Sequence, residues 1–305
     1  MTDTLSDVLR LIRLKSCVYF ARDFRAPWGM GMDGGTFAQF HAVLRGNCVV
    51  THAGRYMSGS AGDVFLFPTG DAHQIADAPD RAAVPGPTFM ESLATDTPLF
   101  MDGGAPTRLL CGHYEYRNDI RHPLIDELAP VIHIRSFDDQ APETLNGVLP
   151  MLARELSDAR PGATAVAEKL AEILLVQVIR AHFEQARHRG GVIAGLLDPR
   201  LSKAFTLVHN AYARHLTLDD LAAAAGISRS AFAAHFREHA GMTPVAYLAV
   251  WRMCIAFELL TSDRLPVAEA ALRVGYDSDI AFGRAFKRHF GQTPGVVRRR
   301  ASISA

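Results

Sequence analysis

Imidazole nitrogen and thiolate sulfur are good ligands for zinc and other divalent metals, so His41, His73, Cys111 and His113 are candidates for a metal constellation in the first half of this chain. Cys111 and His113 stand two apart in LLCGHYEY and share one face if that segment is a strand. The four residues are scattered and form no compact local signature. A second chemistry therefore stays open beside the first, in which the histidines hydrogen-bond inside a polar pocket and Cys111 packs as a small apolar residue. The chain has four cysteines, Cys17, Cys48, Cys111 and Cys254. In a reducing compartment they make no disulfide framework, although they can respond to oxidants.

The elements that must position these groups change along the chain. Between residues 37 and 100, short apolar runs such as FHAVL, CVVTH and DVFLFP alternate with turns at Arg45-Gly46, Ala53-Gly54 and Ala61-Gly62, which predicts antiparallel strands and hairpins. ETLNGVLPMLARELSD and ATAVAEKLAEILLVQVIRAHFE then carry apolar positions at helical spacing, interrupted by Arg160-Pro161-Gly162, and read as an antiparallel helix pair. His188-Arg189-Gly190-Gly191 breaks that periodicity and marks a flexible joint over 187–199.

The last hundred residues contain an internal repeat. AFAAHFREHAGMTP at 231–244 returns as AFGRAFKRHFGQTP at 281–294, with seven of the fourteen positions identical. In each copy two phenylalanines stand at i and i+4, on one face of a helix, with basic residues elsewhere around it. Gly241 and Gly291 suit left-handed helix ends, and the Thr-Pro that follows each supplies an N-cap and a first-turn proline for the next helix. Upstream, LDDLAAAA with the turn Gly226-Ile227-Ser228, and VAEAALRV with the turn Gly275-Tyr276-Asp277-Ser278, complete two helix-turn-helix units.

Residues 200–300, with GISRSAFAAHFREHAGMTPVAYL and AALRVGYDSDIAFGRAFKRHFGQTPGVVRRR, resemble the tandem helix-turn-helix domain of the AraC/XylS family of transcription regulators. The resemblance implies a long helix over about 244–261 joining two units whose recognition helices enter successive major-groove segments. It places base contacts at Arg229, Ser230, Ala233 and Ala234 in the first helix and at Asp279, Ile280, Gly283 and Arg284 in the second, with Arg284 the strongest single candidate. The small side chains at Ser230, Ala233, Ala234 and Gly283 depart from members with large or polar readers there. Arg237, Lys287, Arg288 and the run Arg298-Arg299-Arg300 fall where phosphates are met.

The stretch from Gly62 to His73, GDVFLFPTGDAH, fits the second sequence motif of cupins, and the first half resembles the cupin-like sensor domain of such regulators. On that reading His73 takes the usual ligand position and His41 points into a barrel. Gln39 stands where a glutamate ligand is expected and the paired histidines before residue 41 are missing, so the enzyme pattern is incomplete. KSCVY, FHAVLRG, PTGDAHQI and LLCGH are also similar to a subgroup responding to reactive chlorine species, with cysteines matching at Cys17 and Cys111. Oxidation of these two to sulfenic acid or to a mutual disulfide is the chemistry that match implies.

Charge agrees with this division. Residues 1–200 hold 19 Lys and Arg against 24 Asp and Glu, and residues 201–305 hold 13 against 8, so the repeat-bearing half is basic within a neutral chain. The expected fold is α+β: a cupin-like β-barrel with a helical dimerisation segment at 1–186, a linker at 187–199, and an all-α tandem helix-turn-helix domain at 200–305. The expected function is a sequence-specific DNA-binding regulator, an activator by family habit, with promoter DNA, a second copy of the chain, RNA polymerase and an unidentified effector as partners. A small molecule, a metal such as zinc, or an oxidant would act on its N-terminal domain. It is read as not an enzyme, the alternative being a cupin metalloenzyme fused to a DNA-binding domain. The start, MTDTLSDVLRLIRL, lacks a signal-peptide pattern, and no apolar run reads as long enough to span a bilayer, so the expected location is cytoplasmic with no membrane partner.

Overall fold

The computed structural model describes residues 3–95, 97, 99–117, 119–120, 122–136, 143–158, 160–186 and 190–303. Two compact units form. A sheet unit takes residues 14–116 and 128–185, and a helical unit takes 1–13, 117–127 and 186–305.

The strands of the sheet unit are β1 (Lys15–Arg25), β2 (Gly29–Met32), β3 (Ala38–Arg45), β4 (Asn47–His52), β5 (Arg55–Ser60), β6 (Val64–Phe67), β7 (His73–Ala76), β8 (Val84–Pro85), β9 (Pro106–Glu115) and β10 (Ile132–Ile134). The helices of the chain are α1 (Thr4–Leu11), α2 (Gly86–Ala94), α3 (Pro123–Asp126), α4 (Glu143–Asp158), α5 (Ala163–Ala186), α6 (Val192–Leu197), α7 (Leu201–Ala211), α8 (Leu218–Ala225), α9 (Arg229–Ala240), α10 (Pro244–Thr261), α11 (Val267–Arg273), α12 (Asp279–Phe290) and α13 (Pro294–Ile303). Of these, α2, α4 and α5 belong to the sheet unit.

Two five-stranded sheets make the sheet unit, in the orders β1-β9-β3-β6-β10 and β5-β4-β7-β2-β8. Phe20, Phe24, Trp28, Met30, Phe65, Phe67, Ile75, Phe89 and Leu109 are buried in its core. The glycines of the cupin motif are there for space and for backbone. Gly70 has φ +71°, and a Cβ on it would lie 2.5 Å from the carbonyl oxygen of Phe37. Gly62 has φ +92°, and a Cβ would lie 2.6 Å from Cβ of Ser136. Any other residue at either place would both strain the left-handed backbone and collide.

The helical unit follows its caps. Thr217 forms a capping box with Asp220 at α8, and Ser228, Thr243 and Ser278 each accept a backbone N–H at the start of α9, α10 and α12. Gly241 and Gly291 end α9 and α12 in the left-handed conformation, as expected. Phe232, Phe236, Phe282 and Phe286, the repeated pairs, are fully buried. By length and composition α10 is apolar enough to cross a membrane, with mean hydropathy 1.4, which corrects the reading that no such run exists. Its composition is accounted for by burial of Tyr247, Leu248, Trp251, Met253, Cys254, Ala256, Phe257 and Leu260 in the helical unit.

The expected boundaries at 186 and 200 are modified. Residues 192–197 of the expected linker form α6, whose first two N–H groups donate to the Glu127 carboxylate at 2.8 and 3.1 Å. Residues 187–189 of that linker lie outside the described residues. The helical unit also takes in α1 and the segment 117–127, because their side chains are buried with those of α7 and α10. His122 donates no proton from Nδ1, which accepts the Leu124 N–H at 3.2 Å. Its Nε2–H then faces the Tyr247 hydroxyl at 3.4 Å, the hydroxyl donates to His209 Nε2 at 2.8 Å, and His209 Nδ1–H faces Asp7 Oδ2 at 3.3 Å. A consistent chain of donors and acceptors, ending on the Asp7 carboxylate, ties four segments together.

Burial first, and then the proximity of another imidazole, holds His122 down to about 3 and His209 down to about 2. Both stay neutral in the fold while the unfolded chain binds protons below about pH 6.5. Their contribution to stability is therefore complete above that value and is lost as pH falls toward the folded values. Urea unfolding is expected to show lower stability at pH 5 than at pH 7.5, by on the order of 2 kcal/mol for each histidine. Tyr247→Phe strands a donor and an acceptor and is expected to cost about 1–3 kcal/mol at either pH, read from the same unfolding curves.

Candidate nucleic-acid interface and sensor pocket

Each recognition helix is set by its phenylalanine pair, which faces inward and leaves the opposite side to solvent. On α9, Arg229, Ser230, Ala234 and Arg237 are exposed and Ala233 is half-buried. On α12, Asp279, Ile280, Arg284, Lys287 and Arg288 are exposed and Gly283 is half-buried. The candidate base-reading positions of each helix thus lie on one accessible face. Ile280 is 69% exposed, which is unusual for a large apolar side chain and suits contact with a thymine methyl. Arg229 shares a surface ion pair with Asp219 at 3.1 Å, both side chains 64% exposed. A pair so open to water is weak and readily exchanged for a nucleic-acid partner. Arg300 bonds Gln292 at 2.8 Å, and Arg298 donates to the Arg264 carbonyl at 3.4 Å, while Arg299 is exposed.

In the sheet unit, β3, β7 and β9 set the histidines and the cysteine. Gln39 lies opposite His113 and His41 opposite Cys111 across β3 and β9, so all four share one face. His41, His73 and Cys111 meet; His113 does not join them. His113 Nε2 is 3.3 Å from Glu115 Oε1, and its ring stacks at 4.9 Å on Phe37.

The contacts of the three assign their protons. His73 Nδ1 donates to the Asp71 carbonyl at 2.7 Å, so its Nε2 carries the lone pair. His41 Nε2, 2.7 Å from that atom, must therefore be the donor, which leaves His41 Nδ1 to accept the Cys111 thiol proton at 3.0 Å. Burial is the main reason that His73 is lowered to about 4 and His41 well below its usual value, and burial raises Cys111 well above the ordinary thiol range. All three are uncharged, and the thiol keeps its proton. Cys17, half-buried opposite His113 on β1, is also raised, by burial first and then by Glu168 and Glu115.

A resident metal ion fits this arrangement poorly. Only the two Nε2 atoms converge, Cys111 sits on the other nitrogen of His41, and no third His, Cys, Asp or Glu atom among the described residues completes a group there. Beside the relay lies a cavity of about 290 Å³. Phe20, Met30, Met32, Phe89 and Met90 make its wall mostly apolar, with Gln39, His41, Asp33 and Tyr19 as polar points. The methionines of the wall and Phe89, on β2 and α2, carry no signal in the sequence, because apolar residues of strands and helices read alike whether they line a cavity or fill a core.

A cupin family model matches residues 3–184, and a helix-turn-helix domain model matches residues 221–300. A putative AraC-like transcription regulator of Streptomyces lividans is 32% identical over 304 residues, covering 99% of both chains. The RCS-specific HTH-type transcriptional activator RclR of Escherichia coli (strain K12) is 27% identical over 292 residues, 94% of this chain and 92% of that protein. Among solved structures, the DNA-binding domain of AdpA in complex with a target DNA matches at 28% identity over 35% of this chain and 96% of that one, with TM-score 0.33.

If Arg284 reads a base pair, Arg284→Ala is expected to lower affinity for a specific site by roughly tenfold to a hundredfold while leaving nonspecific binding nearly unchanged. Lys287→Ala is expected to weaken binding to all sequences alike and to reduce the slope of log affinity against log salt by about one. Fluorescence anisotropy at several salt concentrations separates the two outcomes.

With a cupin domain followed by paired helix-turn-helix units, and a relative of 32% identity along the whole chain, the protein belongs to the AraC family of DNA-binding transcription regulators.

Proposed function

We propose that this regulator reads promoter DNA through the exposed faces of α9 and α12 and is switched by a small, mostly apolar molecule in the cavity of the sheet unit. The observation that carries the second part is the cavity itself: about 290 Å³, apolar on most sides, with an uncharged His41–Cys111 pair at its wall. A neutral relay of this kind adds no buried charge to the wall, and Gln39 and Tyr19 beside it supply the hydrogen-bonding points. A ligand with an apolar body and one hydroxyl or carbonyl suits it.

The route from cavity to DNA runs along the chain. β9 carries Cys111 and ends at Glu115, and two residues later Arg117 enters the helical unit. There its guanidinium holds Glu258 at 2.6 Å, Thr261 at 2.9 Å and Ser262 at 3.2 Å, all at the end of α10 or just beyond it. A displaced β9 would pull on the helix that spaces the two recognition helices. Such a ligand works by favouring one arrangement over another, not by catalysis.

A second reading rests on Cys17 and Cys111, since the RclR relative is named an RCS-specific activator. The raised position of both thiols disfavours thiolate chemistry at neutral pH, which ranks this reading second. Pairing of two chains is proposed through α4 and α5, where Met151, Val166 and Ile173 are exposed at 56%, 44% and 45%. Activation of transcription by recruiting RNA polymerase belongs to the same proposal.

A reporter fused to the DNA flanking the gene tests the switch against a panel of small apolar compounds and hypochlorous acid. Met30→Trp, which fills the cavity, is expected to abolish the response to a compound while specific DNA affinity is kept. Loss of the response in Cys17→Ser with Cys111→Ser, and not in Met30→Trp, would replace the ligand by an oxidant. Val166→Glu with Ile173→Glu is expected to shift a dimer toward monomer in sedimentation experiments.

A further inference from the structure

Away from the sensor cavity, the first helix-turn-helix unit brings together Asp198, His235 and His239. One ligand atom of each lies within 4.8 Å of the others, and all three residues are half-buried. His235 and His239 stand at i and i+4 on α9, so both imidazoles leave the same side of the helix. Their rings are 4.0 Å apart. Asp198 lies at the junction of α6 and α7, where one oxygen accepts the N–H groups of Arg200 and Leu201, both at 2.9 Å, and the other faces His235 Nε2 at 2.9 Å. Its carboxylate is thus oriented by the backbone, with one oxygen turned to the histidines.

We propose that Asp198, His235 and His239 form a binding site for a divalent transition metal, best suited to zinc, which fastens recognition helix α9 to the start of α7. Two imidazoles and one carboxylate are a common three-ligand set for zinc, and tetrahedral bonds of about 2.1 Å bring ligand atoms to about 3.4 Å from one another. The present spacing, 4.8 Å at most, exceeds that by no more than about 1.4 Å. The orientation expected around a ligating histidine is also in place. His239 Nδ1 donates to the His235 carbonyl at 3.1 Å, which leaves the Nε2 lone pair for a metal. The scaffold is rigid at this point: Gly195 of α6 meets α9 so closely that a Cβ on it would lie 3.1 Å from that of Ala240.

The internal repeat supplies a built-in comparison. The second unit keeps a histidine, His289, at the position of His239, but has Ala285 at the position of His235. The pair that makes a site on α9 is therefore missing from α12, and the proposal assigns one ion per chain. Binding at His235 Nε2 displaces the hydrogen bond to Asp198, with the imidazole proton carried on Nδ1 or released to solvent, so affinity falls as the pH is lowered.

Zinc alone is the probe. Full-length protein stripped with a chelator is titrated with zinc in a calorimeter and against a chromogenic chelator, and its thermal midpoint is recorded with and without the metal. The expected result is one tight site per chain and a zinc-dependent rise in the midpoint, both lost in His239→Gln and in His235→Gln. They are kept in His289→Gln and in the double variant His41→Gln with His73→Gln. His239→Gln, whose half-buried ring makes one backbone hydrogen bond and one ring contact with His235, guards against loss of folding, and its unfolding curve without metal is expected to lie close to the parent's. Tight zinc that survives in His239→Gln, or that disappears with His41 and His73, would overturn the assignment. So would the absence of tight binding by the parent, in which case Asp198 and His235 are a plain hydrogen-bonded pair.

Discussion

Everything the two recognition helices can do depends on how α10 is packed, because it packs against the helices of both helix-turn-helix repeats. Near its start, Tyr247 lies against Phe205 and Phe236, with ring centroids at 4.6 and 6.3 Å. Near its end, Phe257 lies against Phe286 and Phe290 at 6.3 and 4.7 Å. Ten residues separate these anchors, about 15 Å along a helix axis. Phe236 and Phe286 are the second members of the repeated pairs, so α9 and α12 are each anchored on α10 through the same position of the repeat, with the rings tilted at 58° in the first and stacked at 4° in the second. Apolar burial of this kind is non-directional in energy but specific in shape, and it fixes the separation of two surfaces that must match the period of a duplex.

Neutrality is the second common thread. Two buried chains of polar groups, Cys111–His41–His73–Asp71 in the sheet unit and His122–Tyr247–His209–Asp7 in the helical unit, assign each proton without an ionised imidazole. A buried imidazolium would need a paired anion, whereas a neutral ring needs one donor and one acceptor, which both chains supply. The first chain stands at the wall of the cavity. The second joins α1 and 117–127 to the helices that carry α9, so segments from the beginning and middle of the sequence become part of the DNA-binding unit.

The tandem units are legible in the sequence because repetition exposes them. Identical residues fifty positions apart, phenylalanines at i and i+4, and caps of known chemistry all demand the same paired helix-turn-helix architecture. The strands β3 to β6 are legible for a similar reason, through glycines at turns, but only the turn at Gly54 closes a hairpin, β4 with β5, whereas the turns at Gly46 and Gly62 pass the chain from one sheet to the other. The sensor chemistry is not. Residue types point to a metal at His41, His73, Cys111 and His113, but the carbonyl of Asp71 sets the tautomer of His73, and that choice propagates to Cys111. No spacing rule carries such information. Likewise His235 and His239 are visible as a pair on a helix, while Asp198, thirty-seven residues before His235, reaches them only through the packing of α6 against α9. The place of α1 and of His122 is hidden too, since an amphipathic segment does not say which core receives it.

The central claim is that one chain presents two recognition helices to one face of a duplex. Hydroxyl-radical and methylation footprinting on DNA flanking the gene tests it directly. The account predicts two protected major-groove segments per chain, about one helical turn apart and on the same face, at fixed positions in the sequence. Protection spread evenly along the DNA, or confined to a single segment that persists when α12 is disabled, would contradict it.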